Sequence, residues 1–277
     1  MEYVTLNTGA KMPMLGFGVF RLEDKNAILT AFEEGYRCID TAAGYNNEEL
    51  VGQAVVESGL KREELFITTK LSNNGQREGN VEGEFEKSLQ KLGMDYVDLY
   101  LVHWPVKEHY VDTWLTLEKI YKSGRAKAIG VSNFHDYHLE AIKKVWSVVP
   151  ALNQIELHPR LTQKPLLALC KSENIIVQAW SPLGGGKPGD PGDIKGNLLS
   201  HEVLAKIGEK YGKSPAQVIL RWDLDLGIAT IPKSITPSRI KANIDVFDFC
   251  LTPEEIAAID ALNLNQRTGS DPDNFAF

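Results

Sequence analysis

The chain has 277 residues, 43% hydrophobic and 24% charged, the balance of a globular protein that buries a large core without disulfide or metal staples. Lys and Arg total 30 against 37 Asp and Glu, a net charge of −7. That excess of acid argues against a nucleic-acid partner, whose affinity comes mainly from phosphate neutralisation. Cys38, Cys170 and Cys250 cannot all pair and show no CxxC spacing, as expected in a reducing cytoplasm. The opening MEYVTLNTGA lacks the apolar core of a signal peptide, and no apolar run approaches the ~20 residues of a membrane span. A cytoplasmic protein without a membrane partner is expected.

In chain order, residues 3–6 and 11–14 flank a turn-rich Asn7-Thr8-Gly9-Ala10 and read as a hairpin. Eight strand candidates follow: Gly16–Val19, Arg37–Asp40, Leu65–Lys70, Val97–Val102, Ala126–Val131, Ala151–Ile155, Ile175–Ala179 and Ile228–Ile231. Several are apolar throughout, as in a parallel sheet buried on both faces. Helical patterns separate them. Asp24–Gly35 gathers Ala27, Ile28, Ala31 and Phe32 on one side, and Val81–Leu92 and Asp112–Ser123 end just before Gly93 and Gly124. Ser214-Pro215, Thr236-Pro237 and Thr252-Pro253 each look like an N-cap with proline at the first helical position. Eight βα units without a long linker predict one (β/α)8 TIM barrel domain over residues 1–277. Residues 184–197, rich in Gly and Pro, are a surface insertion or a flap over a ligand. The irregular tail from Gln266 ends in Phe275 and Phe277, aromatics that suggest it docks on the barrel.

Absent motifs narrow the chemistry. Gly16 and Gly18 begin a dinucleotide fingerprint, but Arg21 stands where its third glycine belongs. No tyrosine has a lysine four residues on, and GxSxG, HExxH and P-loop motifs are missing. His135 and His138 at i, i+3 lack an evident third metal ligand, so a solvated helix face is expected and no metal site. Cys38 and Cys170 read as packing residues. Asp223 and Asp225, two apart on a helix, do not make the facing carboxylate pair that sugar hydrolysis needs.

Polar residues at strand ends remain. Barrel enzymes place their chemistry at the C-terminal ends of the strands. There lie Asp40, Tyr45 in the loop after it, Lys70 closing FITTK, and His103 after YLV. A lysine after four buried strand residues is costly unless paired, and Asp40 on the neighbouring strand is a plausible partner. On these residues alone, a structural salt bridge with an unrelated Tyr and His remains open.

GYRCIDTAAGYNNEELVGQA, LFITTK, YVDLYLVHWP, AIGVSNF, NQIELHP and IPKSITPSRIKAN follow one another along nearly the whole chain. Together they resemble the successive signatures of the aldo-keto reductase family. The short tail is similar to that of the bacterial 2,5-diketogluconate reductase and prostaglandin F synthase-like branch. The resemblance implies an oxidoreductase that reduces aldehydes, dicarbonyls or keto-sugars with NADPH, using Asp40, Tyr45, Lys70 and His103 as its tetrad. Tyr45 would be the general acid, with a pKa lowered by the Lys70 ammonium that Asp40 holds; His103 would orient the carbonyl. It further implies Ser132, Asn133 and Gln154 at the nicotinamide carboxamide, and Trp180 stacked on the ring where many relatives carry Tyr. Ser181 and Leu183 would lie along the pyrophosphate, under residues 184–197 as a flap. Lys233 and Arg239, four residues before Asn243, would clamp the 2′-phosphate, with Ser234 adding a hydroxyl and Asn243 reaching adenine. Ala242 departs from the Glu that many relatives have there, which loosens the hold on adenine. Phe20, where many relatives have Trp, and Trp104 would line the substrate pocket. A monomer is expected. The alternative is a non-catalytic cofactor-binding barrel with a regulatory or structural role.

Overall fold

The computed structural model describes residues 1–185 and 198–277. An antiparallel hairpin of β1 (Tyr3–Thr5) and β2 (Lys11–Pro13) comes first. Eight parallel strands follow: β3 (Phe17–Gly18), β4 (Cys38–Asp40), β5 (Phe66–Leu71), β6 (Leu99–Val102), β7 (Ile129–Ser132), β8 (Leu152–Glu156), β9 (Ile176–Trp180) and β10 (Ala229–Thr230). They pair in sequence order from β3 to β10. A parallel bridge between Leu15 and Thr230 joins the two edges. Gly16 N–H donates to Thr230 O at 2.9 Å and Gly18 N–H to Pro232 O at 3.2 Å, so the sheet closes into a (β/α)8 barrel.

All eight expected strands are present. The first and last are shorter than their patterns predict, because the flanking residues pair through the irregular closure bonds rather than a ladder. The uninterrupted apolar runs arise because one face packs inward and the other under helices. Ile67, Tyr100, Ile129 and Val131 join the large core between sheet and helices. Cys38, Phe66, Leu99, Leu101 and Leu152 form a second cluster inside the barrel. The hairpin contributes Leu6 and Met12 to that inner cluster, so it plugs the end where the strands begin. The opposite end is therefore the open one.

Eleven α-helices are described between and after the strands: α1 (Asn26–Glu33), α2 (Glu48–Ser58), α3 (Asn73–Arg77), α4 (Val81–Leu92), α5 (Tyr110–Lys122), α6 (Asp136–Lys143), α7 (Lys164–Ser172), α8 (Glu202–Tyr211), α9 (Pro215–Asp225), α10 (Pro237–Ile244) and α11 (Pro253–Asp260). Gly93 ends α4 at φ +65°, a left-handed cap that costs glycine little. Ser214 and Thr252 form capping boxes with Gln217 and Glu255. Thr236 occupies the N-cap position of α10 without a side-chain bond; Ser234 Oγ accepts the Thr236 N–H at 3.1 Å instead. On α9, Asp223 is buried while Asp225 pairs with Arg221, so the two carboxyls do face different ways. No described helix is long and apolar enough to cross a membrane.

Candidate active site

The barrel brings Asp40, Lys70 and His103 to the ends of three neighbouring strands, and a short 3-10 turn, Ala43–Tyr45, folds Tyr45 back over them. Lys70 is 0% and Asp40 2% exposed, with Lys70 Nζ 2.5 Å from Asp40 Oδ1. The same ammonium donates to Thr41 O at 2.9 Å and to the Tyr45 hydroxyl at 3.4 Å. The rings of Tyr45 and His103 meet edge-on, with centroids 5.5 Å apart. Burial opposes the ammonium, but Asp40 and Tyr45 outweigh it and raise the Lys70 pKa, so Lys70 stays charged. Burial, aided by Lys70, holds His103 well below the usual imidazole range, and it is neutral.

Tyr45 departs from expectation. Lys70 does pull its pKa down, but burial pushes it up by more, and the phenol ends above its ordinary value. At neutral pH the hydroxyl therefore keeps its proton, which suits an acid.

A second layer of polar groups supports the first. Gln154 Nε2 donates to Asp40 Oδ2 and to Gln178 Oε1, both at 2.7 Å. Ser132 Oγ donates to Gln154 O, and Asn133 Nδ2 to His103 O, both at 2.9 Å. Trp180 Nε1 donates to Asn133 Oδ1 at 2.8 Å, which fixes the plane of the indole. Asn133 (φ +64°), Ser181 (φ +49°), Asn46 (φ +55°) and Arg21 (φ +56°) are non-glycine residues in the left-handed region, and all four follow strand ends around this mouth. Such strain concentrates where a rigid surround positions function.

The remaining predicted residues fall nearby. Phe20, half exposed, packs on Tyr45 with ring centroids 4.9 Å apart. Trp104 meets Phe275 at 5.1 Å and Phe277 at 5.2 Å, so the aromatic tail does dock. Lys233 and Arg239 are exposed, and neither has an ion-pair partner among the described residues, while Ser234 and Asn243 are buried. Arg239 and Asn243 are thus one turn apart on α10 but not equally open to a ligand. A surface cavity of about 390 Å³ lies between Lys233, Ile235 and Pro237 and the segment from Arg21 to Thr30. Of the predicted flap, residues 186–197 lie outside the described residues; Ser181 and Leu183 are half-buried at its base.

Two features escaped the sequence reading. Glu156, fully buried at the end of β8, accepts from Thr268 N–H at 2.6 Å, Thr268 Oγ1 at 2.5 Å and Gly269 N–H at 3.2 Å. This clamps the tail against Trp180, where a Cβ on Gly269 would come within 2.3 Å of the indole. The signal was available, since an acid inside NQIELHP is as anomalous as Lys70 in its strand.

The second is a correction. His135 and His138 are not a solvated face: His138 is buried, and the tail residues Asp271 and Asp273 lie over both rings. The Tyr137 hydroxyl donates to Asp273. Ligand atoms of His135, Asp271 and Asp273 come within 4.8 Å of one another, spacings equally served by histidine–carboxylate pairing. Burial, then His135, depress the His138 pKa to about 4. The unfolded chain therefore takes up the proton first, near pH 6.5, and folding stability falls as pH drops from there to about 4. The full shift corresponds to at most about 3 kcal/mol, and less to the extent that solvent screens the ring. Thermal unfolding between pH 7 and 4 should show a smaller loss in His138→Gln than in wild type; parallel curves would contradict the assignment.

The geometry defines a class: a barrel whose open end joins a buried Lys–Asp pair, a protonated phenol and a neutral imidazole. The chain belongs to the aldo/keto reductase family, whose model matches residues 15–264. It is 51% identical to the glyoxal reductase of Bacillus subtilis (strain 168) over 280 residues, 100% of this chain and 98% of that protein. An aldo-keto reductase from a Medee basin deep-sea metagenome library superposes with a TM-score of 0.94 at 41% identity, covering 99% of this chain and 100% of that one. A Bombyx mori aldo-keto reductase in complex with NADP has a TM-score of 0.90 at 39% identity, covering 98% and 96%.

Proposed function

We propose that this protein reduces small aldehydes and vicinal dicarbonyls to alcohols with NADPH, Tyr45 acting as general acid. The observation that carries the reading is the Tyr45 hydroxyl 3.4 Å from the ammonium of a buried Lys70–Asp40 pair. A non-catalytic barrel has no need of that contact.

The residues present fit the cofactor. Lys233, an exposed cation lining the 390 Å³ cavity, and Arg239, exposed on α10, would hold the 2′-phosphate, with the buried Ser234 and Asn243 adding polar contacts. Trp180 would stack on the nicotinamide, its indole oriented by Asn133. Ser132, Asn133 and Gln154 would face the carboxamide. Because Gln154 Nε2 is already committed to Asp40 and Gln178, its Oε1 is the end left for that group. Ser181 and Leu183 would lie along the pyrophosphate. When bound, NADPH supplies the hydride.

The rest of the chemistry belongs to the chain. Tyr45 and His103 donate hydrogen bonds to the substrate oxygen and so set its orientation. As negative charge grows on that oxygen, the Tyr45 hydroxyl transfers its proton to it. Lys70 stabilises the phenolate left behind, and Asp40 keeps Lys70 charged and in place. Phe20 on Tyr45, and Trp104 with Phe275 and Phe277, would form an apolar rim that limits substrate size.

Oxidation of NADPH with a substrate panel tests this. Glyoxal, methylglyoxal and a nitrobenzaldehyde should be turned over with higher kcat/KM than a steroid ketone. The reverse order would remove the small-substrate assignment, and no turnover of any carbonyl would remove the function.

A further inference from the structure

We propose that Gln178 is a positioning residue for the proton-transfer group, acting through Gln154 to keep a hydrogen-bond donor on Asp40. The proposal builds on the reading of Tyr45 as the acid.

Asp40 Oδ1 is taken by Lys70, and Oδ2 accepts from Gln154 Nε2 at 2.7 Å across the barrel interior from β8 to β4. A carboxamide has two ends of similar shape, one donor and one acceptor. If Gln154 were turned, its Oε1 would face the Asp40 carboxylate, and two acceptors would repel each other. Gln178 Oε1, 2.7 Å from the same Nε2, takes the second amide hydrogen and so holds the donor end in place. Both glutamines are buried, at 2% and 0% exposure. Gln178 commits only its oxygen; its Nε2 has no hydrogen-bond partner. An orphaned buried donor is unfavourable, and an apolar side chain on β9 would avoid it. The arrangement is therefore explained by the acceptor Gln178 presents to Gln154, and not by packing. The result is a line of contacts from Gln178 through Gln154, Asp40 and Lys70 to the Tyr45 hydroxyl.

The consequence is electrostatic. The charged or titratable groups facing Tyr45 are Asp40 on β4, Lys70 on β5 and His103 after β6; Phe20 covers the remaining side. With the Gln154 donor in place, Asp40 is partly neutralised and Lys70 acts more fully on Tyr45. Without it, the phenolate becomes harder to form.

Gln178→Met and Gln178→Leu both remove the acceptor and leave an apolar side chain at the same place on β9. Ultraviolet difference titration against Tyr45→Phe reads the Tyr45 ionisation without substrate or turnover. Both variants should raise its midpoint by at least about half a pH unit, a threefold change in the ionisation constant. The pH profile of kcat/KM for carbonyl reduction should move the same way. A merely structural role would lower activity at every pH without moving either midpoint. Should Gln178→Met fail to fold, the smaller Gln178→Leu decides the matter. Midpoints equal to wild type would overturn the proposal. A shifted Tyr45 midpoint in a protein whose wild type reduces no carbonyl would instead sustain the positioning role and reject the proposed reaction.

Discussion

Tyr45→Phe is expected to lower kcat for carbonyl reduction by roughly 10²–10⁴-fold, the usual worth of a general acid. The substitution removes one hydroxyl and keeps the ring that Phe20 packs against. Lys70 retains Asp40 and Thr41 as partners, so the buried ammonium is not stranded. NADPH affinity should stay within a few-fold of wild type, because the proposed cofactor contacts lie on later strands. Steady-state kinetics together with a fluorescence titration of the cofactor separate the two effects. A variant keeping more than about a tenth of wild-type kcat would show that the proton comes from elsewhere.

The second large effect concerns cofactor choice. Lys233 and Arg239 stand exposed and without ion-pair partners among the described residues, so a phosphate need not displace an ion pair with any of these. Hydrogen bonds to charged groups contribute roughly 1.5–3 kcal/mol each. Two of them would favour NADPH over NADH by ~10²–10⁴-fold, nearer the lower end because free cations are well hydrated. Arg239→Ala should weaken NADPH by about tenfold or more and leave NADH nearly unchanged. In the proposed cofactor site, Ala242 would place no carboxylate near the adenine, which should lower the affinity of both cofactors alike. Dissociation constants for the two cofactors in both proteins provide the check. Equal affinities in wild type, or equal losses in the variant, would remove the phosphate clamp.

Much of this was legible from local pattern. A parallel strand covered on both faces reads as an apolar run, so all eight strands could be placed from the sequence. Lys70 stood out because an ammonium inside such a run demands a partner, and Asp40 is the one found. What the sequence concealed depends on distant contacts. Glu156 carries the same anomaly as Lys70, but apart from His158 its partners lie 112 and 113 residues later in a tail with no periodicity. His138 looks exposed on the helical wheel, but Tyr110 and Phe134 pack against its ring and that tail lies over it. Gln178 gave no signal because its significance rests on Gln154 and, through it, on Asp40 across the barrel. The direction of the Tyr45 shift was misread for a related reason. An attractive charge can be inferred from sequence, whereas the depth of burial that outweighs it emerges only when the chain is folded.

The tail is secured at three separate points: on Glu156 through Thr268 and Gly269, on Tyr137 through Asp273, and on Asn73 and Arg77 through the Phe277 carbonyl oxygen. Its aromatic end is thus ordered as part of folding, before any substrate arrives. An arm that closed only on binding would charge each ligand the entropy of its own immobilisation, and small ligands have little contact energy to offset that. A rim already in place spares glyoxal-sized molecules this loss. On the proposed function, its selectivity would be that of a fixed aperture, which rejects by size at entry. Loosening the three ties would therefore charge every ligand that needs the ordered rim the same amount, and the smallest have the least contact energy to absorb it.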